Sequence, residues 1–187
     1  MGPRVTNGLA AAVVTVAVVT SLIWVVRVLG ADGVEFAFAV VWLPMTWLGT
    51  VSRIATPRLP AAYHDLRRFE RDGRAYELVG VRAVKWLLRR GPLAVFNPDL
   101  HLPAAACRTA ASLARLDQRM RDAEASHALL LVLTAGVAVH AAWRGWWAAS
   151  AWTLLFDVLV NGYPVMLQRY NRAYLTRRYP NGPDLRT

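Results

Sequence analysis

Residues 5–26, VTNGLAAAVVTVAVVTSLIWVV, run for 22 positions without a charge. As a helix rising 1.5 Å per residue this run covers the roughly 30 Å of a bilayer's hydrocarbon core. A second apolar run, Phe36–Ser52, has 17 uncharged residues, with Glu35 placed to snorkel at its start and Pro44 placed to kink it. Further on, Ala125–Trp143 is interrupted only by His127 and His140, and Gly145–Gln168 carries the single charge of Asp157. These runs predict four spans. The short connector Trp143-Arg144-Gly145-Trp146-Trp147 makes the last two a hairpin whose tryptophans suit the headgroup layer. The first run also admits reading as a cleaved secretory signal, with Arg4 before it and Gly30 or Ala31 near the cut. Its length exceeds the roughly 7–15 residues of a signal's apolar core, which favours a span.

The composition agrees. Of the 187 residues, 56% are hydrophobic and 18% charged, against about a quarter charged in soluble domains. One cysteine, Cys107, excludes a disulfide framework and a cysteine-based zinc site. Lys and Arg number 22 against 12 acidic residues, a formal charge of +10. Basic residues lie mainly in residues 53–123 (14) and from Arg169 onward (5), which is 19 of the 22. This asymmetry argues against a nucleic-acid partner and for positive-inside topology, with the N-terminus, the middle segment and the C-terminus in the cytoplasm. The expectation is an all-α, multi-pass cell-membrane protein of about four transmembrane helices. Its divisions are two N-terminal spans (1–52), a basic, partly amphipathic cytoplasmic segment (53–123), a C-terminal transmembrane hairpin (124–172) and a polar tail (173–187).

The middle segment has few apolar residues for a core of its own. From Tyr76 to Arg90 the spacing is helical: Val81, Val84, Leu87 and Leu88 share one side, Arg82, Lys85 and Arg89 another. Such a helix, ending at Gly91-Pro92, suits the membrane interface, with Trp86 at the boundary and cations toward anionic headgroups or toward the phosphates of a substrate such as a CoA thioester. His64 and His101 have no second ligand at metal spacing and read as solvated or interfacial. Asn97-Pro98-Asp99 reads as a turn.

Ionisable groups inside spans are functional candidates by default. Glu124 and His127, three residues apart, share a helical face that Thr134 continues. A carboxylate beside an imidazole fixes its tautomer and raises its basicity, so the pair reads either as Glu124 orienting His127 as a general base or as a helix-start pair hydrogen-bonding within the bundle. In the fourth run Asp157, Asn161, Pro164, Gln168, Asn171 and Arg172 fall within an arc of about 100° if the helix continues through Pro164. That stripe reads either as bundle glue or as a polar-substrate pocket, and Gly162 and Pro164 would loosen the backbone there. The chain lacks H-x-x-x-x-D, G-x-S-x-G, a Gly-rich phosphate loop and a His/Asp metal cluster.

Phe69-Glu70 followed by Gly73, Val84-Lys85-Trp86, the turn at Asn97, Ala123-Glu124-x-x-His127, and Asn161-x-x-Pro164 leading to Gln168-Arg169-Tyr170-Asn171-Arg172 occur here in that order. Over about residues 63–175 this pattern resembles the glycosyl-4,4'-diaponeurosporenoate acyltransferases. The chain departs from it at Leu87, where a second basic residue is usual, and at Ala128, where an aromatic is usual. The resemblance implies transfer of a fatty acyl group from an acyl-CoA or acyl-carrier thioester to the glucose 6-hydroxyl of a lipid-soluble glycosyl carotenoid, with no cofactor. The roles expected here are His127 as general base with Glu124 as its orienting partner, Asn161, Gln168 and Asn171 on sugar or carbonyl groups, and Lys85, Trp86, Arg169 and Arg172 at substrate contacts. Two rival expectations are an acyltransferase acting on another glycolipid and a non-enzymatic membrane scaffold.

Overall fold

The computed structural model describes residues 3–52, 54–90 and 109–179. The turn at Asn97, His101, Cys107 and the Gly91-Pro92 helix end lie outside them. The described residues are helical throughout their regular structure, without strands: α1 (Pro3–Val28), α2 (Val34–Val51), α3 (Ala61–His64), a 3₁₀ turn (Arg68–Glu70), α4 (Arg74–Leu78), α5 (Val81–Arg90), α6 (Ala110–Trp143), α7 (Trp147–Asp157), a π turn (Val158–Gly162) and α8 (Tyr163–Arg178). Four helical stretches are long and apolar enough to cross a membrane: Val5–Val28, Val34–Val51, Ala110–Trp143 and Trp147–Arg178. The protein is therefore an all-α membrane protein.

The chain divides into two compact units. The first comprises Met1–Pro57 and Ser126–Gly162. Its core is Val25 of α1, Phe36, Ala39 and Val40 of α2, Ala141 of α6 and Ala149 of α7, with Leu22, Leu43 and Trp146 against it. Three of these six buried residues are alanines, which let helices approach closely where lipid offers no hydrophobic drive for association. Trp47 Nε1–H donates to Thr15 Oγ1 at 2.8 Å, joining α2 to α1. Pro44 lies inside α2. At the α6–α7 turn Gly145 adopts φ +79°, and Trp143 and Trp147 are exposed, as a headgroup layer requires.

The second unit comprises Arg58–Ala125 and Tyr163–Thr187. The segment poor in apolar residues acquires a core by borrowing α8. Leu113, Leu116 and Met120 of α6 pack on Leu175, and Tyr76 and Val81 pack on Leu167. The single helix expected over Tyr76–Arg90 is broken: α4 ends at Leu78, Gly80 takes φ +80°, and α5 begins at Val81. Tyr163 Oη–H donates to the Val79 carbonyl at 2.9 Å, satisfying a backbone acceptor freed by the break. The apolar face of α5 is also occupied from within, since Val81 is fully buried and Leu88 packs in the Leu167 cluster, while Arg82 and Trp86 stay exposed.

Candidate functional site

In the first unit α6 brings His127 to the π turn after α7. The His127 Nδ1 is 3.1 Å from Asn161 Oδ1, and Asn161 Nδ2–H donates to Asp157 Oδ1 at 2.7 Å. Asp157 is acceptor-only as a carboxylate, so it takes the amide's NH₂ and turns the amide oxygen toward the imidazole. That oxygen needs a donor, which places a ring proton on Nδ1 and, in the neutral ring, leaves the lone pair on Nε2. Asp157 and Asn161 are fully buried, as is Thr153 one turn earlier, and His127 is half-buried. The π turn spans Val158–Gly162 and so includes Asn161. Single π turns inside α-helices mark functional positions often enough to make this local irregularity informative.

The second unit holds a buried ionic cluster. Arg172 donates through Nε to Asp117 Oδ1 (3.0 Å) and through Nη1 to Glu124 Oε2 (3.1 Å) and the His64 carbonyl (2.8 Å). Arg169 meets both oxygens of Glu70 at 3.1 and 3.2 Å and donates through Nη2 to the Tyr63 carbonyl at 2.6 Å. Its Nε lies 3.1 Å from Glu124 Oε1, close enough for charge attraction but without hydrogen-bond alignment. Arg121 Nε–H donates to Asp117 Oδ2 at 2.7 Å. Glu70 also accepts the Tyr76 hydroxyl and, at 2.6 Å, the Arg67 backbone N–H. Burial, and then the Glu124 charge, raise the Tyr63 phenol above its ordinary pKa. Burial, and then the hydrogen bond to Glu70, raise Tyr76 far above it.

This geometry corrects several sequence expectations. Glu124 does not orient His127: its neighbours are Arg172, Arg169 and His64, whose Nδ1 is 3.4 Å from Glu124 Oε2. A fully buried carboxylate is drawn to guanidinium, and two arginines three residues apart on α8 reach it first. His64 is buried, not solvated. Asn161, expected on sugar or carbonyl groups, has both amide ends engaged inside the protein, one toward the imidazole and one toward Asp157. Arg169 and Arg172, expected as substrate contacts, are satisfied by carboxylates of the chain itself. The polar stripe divides, with Asp157 and Asn161 in the first unit and Gln168, Asn171 and Arg172 in the second.

Other second-unit candidates have different surroundings. Gln168 is buried and its Oε1 has no hydrogen-bond partner among the described residues. Lys85, the only lysine of the sequence, donates to Asn171 Oδ1 at 2.6 Å and lies 5.2 and 5.7 Å from the ring centroids of Tyr170 and Tyr174. Trp86 is 60% exposed. Glu70, Asp117 and His64 were not singled out as site residues from sequence. Asp117, Arg121 and Glu124 recur at four and three residues, a helical-face signal that was present.

A family model described as glycosyl-4,4'-diaponeurosporenoate acyltransferase matches residues 60–179, or 120 of the 187 residues. The chain belongs to this family. No curated protein and no solved structure matches it. As a member of the glycosyl-4,4'-diaponeurosporenoate acyltransferases, it carries within the matched stretch the His127–Asn161–Asp157 chain, the ionic cluster and Lys85.

Proposed function

We propose that the protein transfers a fatty acyl group to the glucose 6-hydroxyl of a membrane-dissolved glycosyl carotenoid, with His127 as general base. The observation that carries this reading is the hydrogen-bonded chain from Asp157 through Asn161 to His127, which presents Nε2 as a proton acceptor. Family membership supports the acyltransferase class and the carotenoid acceptor.

In the step we infer, Nε2 takes the proton of the 6-hydroxyl as its oxygen attacks the acyl carbon of a thioester. The C–O bond forms, the C–S bond breaks, and the imidazolium returns its proton to the departing thiolate. An imidazole suits this exchange, since its ring nitrogen can accept and release one proton per turnover. Lys85 is proposed as a contact for anionic groups of the donor, and Gln168 Oε1 as an acceptor for a ligand hydroxyl.

The test is an ester-forming assay with membranes containing the chain, labelled acyl-CoA and a glucosylated carotenoid acid. Labelled ester is expected from the native chain, and His127→Ala should lower the rate by about 10²–10⁴-fold. Undiminished turnover by a folded His127→Ala protein would sink the role of His127. Failure of the native chain with this acceptor, but success with another glycolipid, would move the assignment to that acceptor.

A further inference from the structure

The first unit carries an open apolar groove of about 550 Å³ between α1, α2 and α7, with Trp24, Val25, Phe38, Trp42, Leu43 and Phe156 among its lining. Its size is within the range of small-molecule sites. Phe38 is its centre, with its ring centroid 5.6 Å from Trp42 and 6.0 Å edge-on from Phe156, which in turn stacks on Trp152 at 5.7 Å. Trp24 and Phe38 remain about half exposed, so these rings are not consumed in packing the unit's own core.

We propose that this groove seats the conjugated polyene of the acceptor, an inference that rests on the reaction proposed above. A flat, stiff conjugated chain stacks against aromatic faces and has few rotors to immobilise, whereas a saturated lipid tail gains only dispersion and loses rotamer freedom. The position fits the chemistry. Phe156 directly precedes Asp157, the far end of the hydrogen-bonded chain that holds His127. On α2 the lining runs from Val34 to Leu43, ~14 Å at 1.5 Å per residue. Asn161 lies five residues past Phe156, ~7 Å deeper, and so near the level of the Leu43 end if α2 and α7 run in parallel as alternate spans. A rod with its sugar at His127 would enter the groove at Leu43 and extend toward Val34. The groove thus selects the apolar part of the acceptor as His127 acts on its sugar.

Visible circular dichroism of the full chain in lipid nanodiscs tests this, using the glucose-free carotenoid acid as probe. Its chromophore is achiral and gives no visible band in lipid alone. The native chain is expected to induce one, with binding weakened on the order of tenfold in Phe38→Leu and in Phe156→Leu, which keep apolar bulk but remove a ring. Far-UV spectra report whether each variant keeps its helices, and Trp42→Leu serves if either does not. No induced band from the native chain would show ordinary lipid in the groove and overturn the proposal, as would a band unchanged in all ring variants. Because this readout requires no turnover, ester formation without an induced band overturns the groove alone. An induced band lost in the ring variants supports the groove even where no ester forms, and that failure falls on the reaction.

Discussion

Asn161 makes two hydrogen bonds of opposite sense, accepting from the imidazole and donating to Asp157, and an amide supplies the acceptor and the donor from two separate atoms. Asn161→Ala should lower turnover by about 10- to 100-fold, the range for a residue that orients an imidazole from behind. The check is kcat against pH beside Asn161→Gln, because a purely structural loss would scale the profile without shifting it. Arg172 bridges Asp117 and Glu124 where both are buried, so Arg172→Ala leaves Asp117 to Arg121 and Glu124 to Arg169, and should destabilise the protein by about 3 kcal/mol, the low end for breaking a buried ion pair. Thermal unfolding in detergent reads this, and Arg172→Lys should recover only part, since an ammonium cannot fork between two partners. The sequence marks His127, Glu124 and Asn161 as polar groups inside spans but does not reveal their partners. Proximity along one helix suggested Glu124 with His127, while the real partner of each comes from 34 to 60 residues away or from α8.

The element boundaries were legible where composition changes and obscure where backbone conformation does. The four spans follow from long, nearly uncharged apolar runs, which a helix carries through hydrocarbon with its backbone hydrogen bonds satisfied internally. The break between α4 and α5 turns on Gly80, one glycine in an otherwise unbroken helical pattern, and the π turn on a region where Gly162 and Pro164 gave only a general warning. Gly73 shows what such a residue does. It has φ +74° at the start of α4, and a Cβ there would lie 3.1 Å from the Tyr170 ring. Gly73→Ala should therefore cost about 1–2 kcal/mol in backbone strain alone, with more for displacing the ring. At Gly162 a Cβ would make only ordinary contacts near 3.8 Å, so Gly162→Ala should leave the unfolding midpoint nearly unchanged in the same assay.

At the scale of the molecule, charge distribution along the chain sets the expected topology. With 19 of 22 basic residues in two stretches, the segment after α2 and the C-terminus are expected on the cytoplasmic side and the α6–α7 turn outside. Cysteines placed singly at Arg144 and at Leu78, in a Cys107→Ser background, test this with an impermeant thiol reagent on intact cells. Arg144→Cys should label and Leu78→Cys should not, and the reverse pattern would invert the assignment. The division into two units was not legible, because α8 reads as the end of a span while its side chains supply the core of the basic segment.

The buried cluster of Arg121, Arg169 and Arg172 with Glu70, Asp117 and Glu124 also shapes how this sequence can change. Each member answers to more than one neighbour or shares a neighbour that does, so a single substitution strands a charge, while replacing matched partners together by apolar residues is often neutral. Viable variants are thus separated by steps of two or three exchanges, and the cluster should be inherited, lost or redesigned as a block. A mutagenesis library that samples these six positions one at a time will find a plateau of failures around sequences that work.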